Sequence, residues 1–127
     1  MGLTEGIQRT DEFRVEGELL TDVEGTLPLP VLSTPGMISM METAAMSLVR
    51  EQLPPGHATV GFEVCVKHVG GALEGAECAV TARLREVVEE RKLRFDVEVR
   101  EGDRVIGVGT HERRVIDVAR HAEATGS

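Results

Sequence analysis

Three polar residues interrupt patterns that are otherwise apolar or structural: Thr34, Glu42 and His68. A hydroxyl, a carboxylate and an imidazole are the parts of a hydrolytic site, supplying a nucleophile or water-holder, an orienter and a base. Glu42 falls at the centre of a helical stripe made by Ile38, Ala45, Met46 and Val49. Burying an unpaired carboxylate is costly, so a Glu there serves a site, reaches solvent, or pairs with an arginine at an edge. His68 continues by twos the face of Ala58, Val60, Phe62, Val64 and Val66. It is either a hydrogen-bonded structural histidine or a base that Glu42 orients. Thr34 precedes Pro35 at a helix start, where it is either the cap or a hydroxyl beside amides and a dipole that favour negative charge.

Other chemistries lack their residues. There is no G-x-S-x-G elbow, no G-x-x-x-x-G-K-[ST] loop and no H-E-x-x-H among His57, His68, His111 and His121. Cys65 and Cys78 form no C-x-x-C pair, and without any Asn there is no Cys-His-Asn triad. No metal and no cofactor are expected. The net charge of −8 disfavours nucleic-acid binding, and Phe13, Phe62 and Phe95 are too few aromatics for a base-stacking platform. No apolar run reaches the ~18 residues of a membrane span, and MGLTEGIQRTDEF lacks a signal-peptide stretch. The expectation is a cytoplasmic protein with reduced thiols and no membrane partner.

The elements that must position these residues follow from periodicity. At 127 residues the chain fits one domain, residues 1–127, with a core over about 12–117 and frayed termini. Residues 12–20 alternate as a half-buried strand, and 21–36 form an irregular, proline-containing connection. Residues 35–53 read as one substantial helix, capped by Ser33 or Thr34 and stopped by PPG at 54–56. Strands follow at 58–68, 77–86, 91–100 and 104–117. In the last, Gly107 and Gly109 mark a bend or a close approach. Residues 118–127 read as frayed. The helix is apolar around most of its girth, with a second stripe of Met37, Met41, Ala44 and Leu48. The fold class is α+β: an antiparallel sheet wrapped around one long central helix.

The stretches VLSTPGMISMMETAA, PPGHATVGFEVCVKH and VIGVGTHERRVID, with the spacing of Thr34, Glu42 and His68, resemble the hotdog-fold acyl-CoA thioesterases of the fluoroacetyl-CoA thioesterase-like group. The resemblance implies that Thr34, Glu42 and His68 are catalytic, and that Gly61 and Arg113 bind substrate beside the thioester. It also implies a homodimer, or a dimer of dimers, with active sites at the subunit interface. Fluoroacetyl specialists carry aromatic residues just before the Thr. Here that segment is GTLPLPVLS, so the expected activity is hydrolysis of a short or medium acyl-CoA. Coenzyme A then enters as part of the substrate. A non-catalytic acyl-CoA-binding hotdog domain is the alternative, although a pure binder has no need of a buried carboxylate. A hotdog dehydratase is disfavoured because the central helix holds no His. Nine of the fourteen basic residues lie in 83–114 beside eight acidic ones, which reads mainly as a solvated strand face.

Overall fold

A computed structural model describes residues 2–124. In chain order the elements are β1 (Gln8–Arg14), a 3-10 turn (Gly17–Leu19), β2 (Leu20–Thr21), β3 (Val31–Leu32), α1 (Thr34–Arg50), β4 (His57–His68), β5 (Glu77–Val88), β6 (Lys92–Glu101), β7 (Arg104–Asp117) and α2 (Val118–Ala124). Five strands form an antiparallel sheet in the order β1-β5-β6-β7-β4, and β2 and β3 make a separate pair. The α+β arrangement expected from the sequence is therefore present. No helix among the described residues is long and apolar enough to cross a membrane.

The period-two alternation of β5 and β6 puts Val80, Ala82, Leu84, Leu93, Phe95, Val97 and Val99 on the inner face, all buried. Against them α1 buries Met37, Met41, Ala44, Ala45 and Val49. Each large side chain so buried contributes about 1.5–3 kcal/mol relative to exposure. The face of α1 that meets the sheet thus takes Met37, Met41 and Ala44 from one stripe and Ala45 and Val49 from the near edge of the other, which turns Ile38, Glu42 and Met46 to the flank. Gly107 allows this roll, because a Cβ there would collide with the Met37 thioether. Ile38 and Met46 are half-buried, and the Glu42 side chain lies on the flank of the helix, 41% exposed.

The ends of the elements depart from expectation for local reasons. The first strand begins earlier and stops at Arg14, because Gly17 takes a left-handed backbone (φ 58) and starts the 3-10 turn. Phe13, Val15 and Leu19 still face the core as expected. The helix ends at Arg50, three residues early. Gln52 N–H then bonds the Val49 carbonyl (3.0 Å) in a tighter turn, because Leu53 precedes Pro54 and is steered out of the helical region. Residues 118–124 are helical instead of frayed, and the Asp117 carboxylate accepts from Arg120 N–H at 3.1 Å. Residues 125–127 lie outside the described residues.

The largest departure is in β4. Its register against β7 shifts between Gly61 and Glu63, a β-bulge that inserts Phe62 as an extra residue. Before the bulge, Thr59 and Gly61 face inward, while Ala58 and Val60 stand opposite Ile116 and Arg114 on the outer face. After it, Val64, Val66 and His68 face inward, opposite His111, Gly109 and Gly107. Phe62 is 58% exposed on the outer face, with the Arg114 guanidinium 3.6 Å above its ring. The single continuous face from Ala58 to His68 is therefore two faces joined at a bulge.

Candidate active site

The N-terminus of α1 holds the first pair of polar groups. Ser33 is the cap: its hydroxyl accepts from Gly36 N–H at 2.9 Å and its carbonyl accepts from Met37 N–H at 2.9 Å. Ser33 N–H donates to the Leu19 carbonyl at 2.8 Å, fixing the helix start against the 3-10 turn. Thr34, the first helical residue, is free of capping duty. Its hydroxyl meets His68 Nδ1 at 2.9 Å, reaching across from the C-terminal end of β4. The cap reading of Thr34 therefore gives way to Ser33. His68 Nε2 is buried and has no hydrogen-bond partner among the described residues.

A second group sits farther along the helix, beside the bulge. Glu42 Oε2 lies 3.9 Å from Arg113 Nη1. Arg113 is buried. Its Nε donates to the Thr59 hydroxyl at 2.8 Å and its Nη2 to the Thr59 carbonyl at 3.0 Å. Its Nη1 approaches His111 Nε2 at 3.3 Å, and His111 Nδ1 meets the Glu63 carbonyl at 2.9 Å. Burial pulls the Arg113 pKa below the ordinary arginine value, and Glu42 opposes that shift. Burial also pushes the His111 imidazole below its ordinary value, with Arg113 acting in the same direction; the Glu63 carbonyl and Glu42 act in the opposite one.

Gly61 is the hinge of this group. A Cβ there would lie 2.9 Å from the Glu42 carboxylate and in ordinary contact with Arg113 (3.7 Å) and His111 (3.8 Å), so a side chain at this position would push the Glu42 carboxylate aside. Glu42, Gly61, Phe62, Glu63 and Val64 line an open cavity of about 310 Å³.

The structure thus brings Thr34 to His68, and Glu42 to Gly61 and Arg113. It does not bring the two sets together within one protomer. Thr34 and Glu42 are eight residues apart on one helix, about 12 Å along its axis. Thr59 and His111 hold Arg113, yet the sequence singles out neither. The available signal was period two: His111 and Arg113 share a face of β7, as Thr59 and Gly61 share one of β4. The basic residues of 83–114 are mostly committed to carboxylates on exposed strand faces. Arg85 pairs with Asp96, Arg94 with Glu86 and Glu112, and Arg100 with Glu98.

A curved antiparallel sheet around one long helix, with polar groups gathered at the helix N-terminus and at a bulged edge strand, is the hotdog arrangement of thioesterases. The family model described as fluoroacetyl-CoA-specific thioesterase matches residues 15–119. A fluoroacetyl-CoA thioesterase of Streptantibioticus cattleyicolor is 38% identical over 90 residues, which spans 71% of this chain and 64% of that relative. The solved fluoroacetyl-CoA thioesterase FlK superposes with a TM-score of 0.86 at 30% identity, covering 98% of this chain and 96% of that one. A thioesterase superfamily member from Thermus thermophilus superposes at 0.86 with 27% identity, covering 96% and 90%. The chain belongs to the fluoroacetyl-CoA-specific thioesterase family.

Proposed function

We propose that the protein is an acyl-CoA thioesterase that hydrolyses a short or medium acyl-CoA to the free acid and coenzyme A. The observation that carries this reading is the 2.9 Å contact between Thr34 Oγ1 and His68 Nδ1 at the N-terminus of α1. There a base, a hydroxyl and the positive end of a helix dipole coincide. Water adds to the thioester carbonyl, the C–S bond breaks, and the proton passes to the thiolate of coenzyme A. His68 takes the proton from water or from the Thr34 hydroxyl, and Glu42 orients the nucleophile or attacks the carbonyl itself. Arg113 and the backbone beside Gly61 meet the carbonyl oxygen as charge develops. No separate cofactor enters this chemistry. The segment leading into β3 offers Leu27 and Leu29 in place of aromatic rings, which favours a plain acyl chain over a fluoroacetyl group.

The reaction centre we propose is shared between two protomers. A separation of about 12 Å along α1 is too great for Thr34 and Glu42 of one protomer to reach one carbonyl. β4 is an edge strand, exposed and without proline, and Phe62, Val64 and Cys65 are left uncovered on it. Such an edge invites antiparallel pairing with a second copy. A twofold axis near Val64 and Cys65 sets His68 of one protomer beside the partner's Gly61, and so beside the partner's Glu42 and Arg113. A homodimer, or a dimer of such dimers, completes the site. The free thiols of Cys65 and Cys78 suit a reducing cytoplasm.

The test is thiol release from a panel of acyl-CoAs running from acetyl to decanoyl. Catalytic release from one or more of them is expected. Tight binding without release would overturn hydrolysis in favour of a non-catalytic acyl-CoA-binding domain.

A further inference from the structure

We infer that His111 is a positioning residue of this site: in its neutral Nδ1–H form it holds the Arg113 guanidinium against Glu42. The hydrogen-bond inventory fixes the form. The Glu63 carbonyl can only accept, so Nδ1, 2.9 Å away, carries the proton. Arginine Nη1 can only donate, so Nε2, 3.3 Å away, presents its lone pair. The ring is 2% exposed and stacks on Phe95 of β6, with centroids 6.0 Å apart. It has no freedom to turn without breaking both contacts.

The consequence is a chain of fixed orientations that starts at the bulge. The Glu63 carbonyl sets the imidazole, and the imidazole takes Nη1. Thr59 takes Nε and Nη2. With three of its nitrogens held, Arg113 keeps Nη1 facing Glu42 Oε2 at 3.9 Å. Protonation of His111 puts a hydrogen on Nε2 facing a guanidinium donor, and the hold on Nη1 is lost. The charged groups facing His111 are Arg113 on its own strand and Glu42 on α1; β4 offers the Glu63 carbonyl and β6 the Phe95 ring. Burial and the Arg113 charge both keep the ring neutral near neutral pH, as this role requires. The inference rests on the thioesterase reading for its link to turnover but not for its geometry.

Two variants separate positioning from simple packing. Gln at this position keeps an acceptor where Nε2 stands, whereas Asn keeps only a donor near Nδ1. The expected result is that His111→Asn lowers kcat/KM about 10–100-fold with the folded state retained by thermal unfolding, while His111→Gln recovers most of the loss. The acid limb of the pH–rate profile should also lose its His111 component in the Gln variant. Equal turnover of Asn, Gln and wild-type enzymes, with an unchanged pH profile, would overturn the inference. A nitrogen-15 NMR measurement of the His111 ring in the wild-type protein tests the geometry without any substrate. The Nδ1–H neutral tautomer at neutral pH supports it, and an Nε2–H tautomer contradicts it. If no acyl-CoA is hydrolysed at all, the thioesterase reading fails while this NMR outcome still decides the orientation of the ring.

Discussion

Ser33 and Thr34 are adjacent hydroxyls with different partners, and the difference is measurable. Ser33→Ala removes the acceptor for Gly36 N–H and should cost about 1 kcal/mol in chemical denaturation, with turnover largely kept. Thr34→Ala should leave stability within about 0.5 kcal/mol and lower thiol release, since its hydroxyl serves His68 and not the helix. Equal loss of stability in the two variants would return the cap to Thr34. His111 gives a pH dependence of stability. Its folded pKa lies below the ordinary ~6.5, so between those two values the unfolded chain binds more protons. Stability should therefore be undiminished above ~6.5, fall as pH drops through that window, and level off below the folded value; His111→Gln should remove this component. Thr34, Glu42 and His68 were legible in the sequence because each interrupts a pattern. His111 was not, because it lies in a polar run, T-H-E-R, where alternation conceals which side chains turn inward.

Two features at the scale of the elements were hidden from periodicity. The bulge at Phe62 changes the phase of β4 midway, so counting by twos reaches the right inward residues at Val64, Val66 and His68 but assigns Ala58, Val60 and Phe62 to the wrong face. Nothing local in GFEVCV announces an extra residue, because the even positions Val60, Phe62, Val64 and Val66 stay apolar on both sides of it. Gly61→Ala should retain the fold, since the backbone there is unstrained, yet its methyl group displaces the Glu42 carboxylate 2.9 Å away. A fall of about tenfold in kcat/KM is expected in thiol-release kinetics, and an unchanged rate would remove Gly61 from the site. The β5–β6 turn is the second hidden feature. Glu89 and Glu90 both take left-handed backbone (φ 55 and 53) where Asn-Gly is the usual signal. Glu90→Gly should raise stability by about 1 kcal/mol in denaturant unfolding by relieving that strain. The alternation of β5 and β6 was legible because each has one face on the core, which fixes its register, whereas β7 buries the consecutive His111, Glu112 and Arg113 and does not alternate there.

For the whole molecule, the α+β class and the long helix on an antiparallel sheet were written in the order of periodic segments. The roll of α1 was not. Two adjoining apolar stripes are equivalent by periodicity, and the space opened by Gly107 beneath Met37 lets the helix roll toward the Met37 side. That roll leaves Glu42 at the helix flank beside the exposed edge strand instead of in the core, and the proposed edge pairing builds on it. Light scattering at micromolar concentration should report a dimer or a dimer of dimers; a strict monomer would contradict the proposed edge pairing. The shared reaction centre has one direct measurement. His68→Ala and Glu42→Gln should each be nearly inactive, and mixing them in equal amounts under subunit exchange should restore about a quarter of wild-type thiol release. Half of the dimers are then mixed, and each mixed dimer carries one site with both wild-type groups. Recovery to that level is the predicted result. A mixture no more active than its parents would contradict a site built from His68 of one protomer and Glu42 of the other.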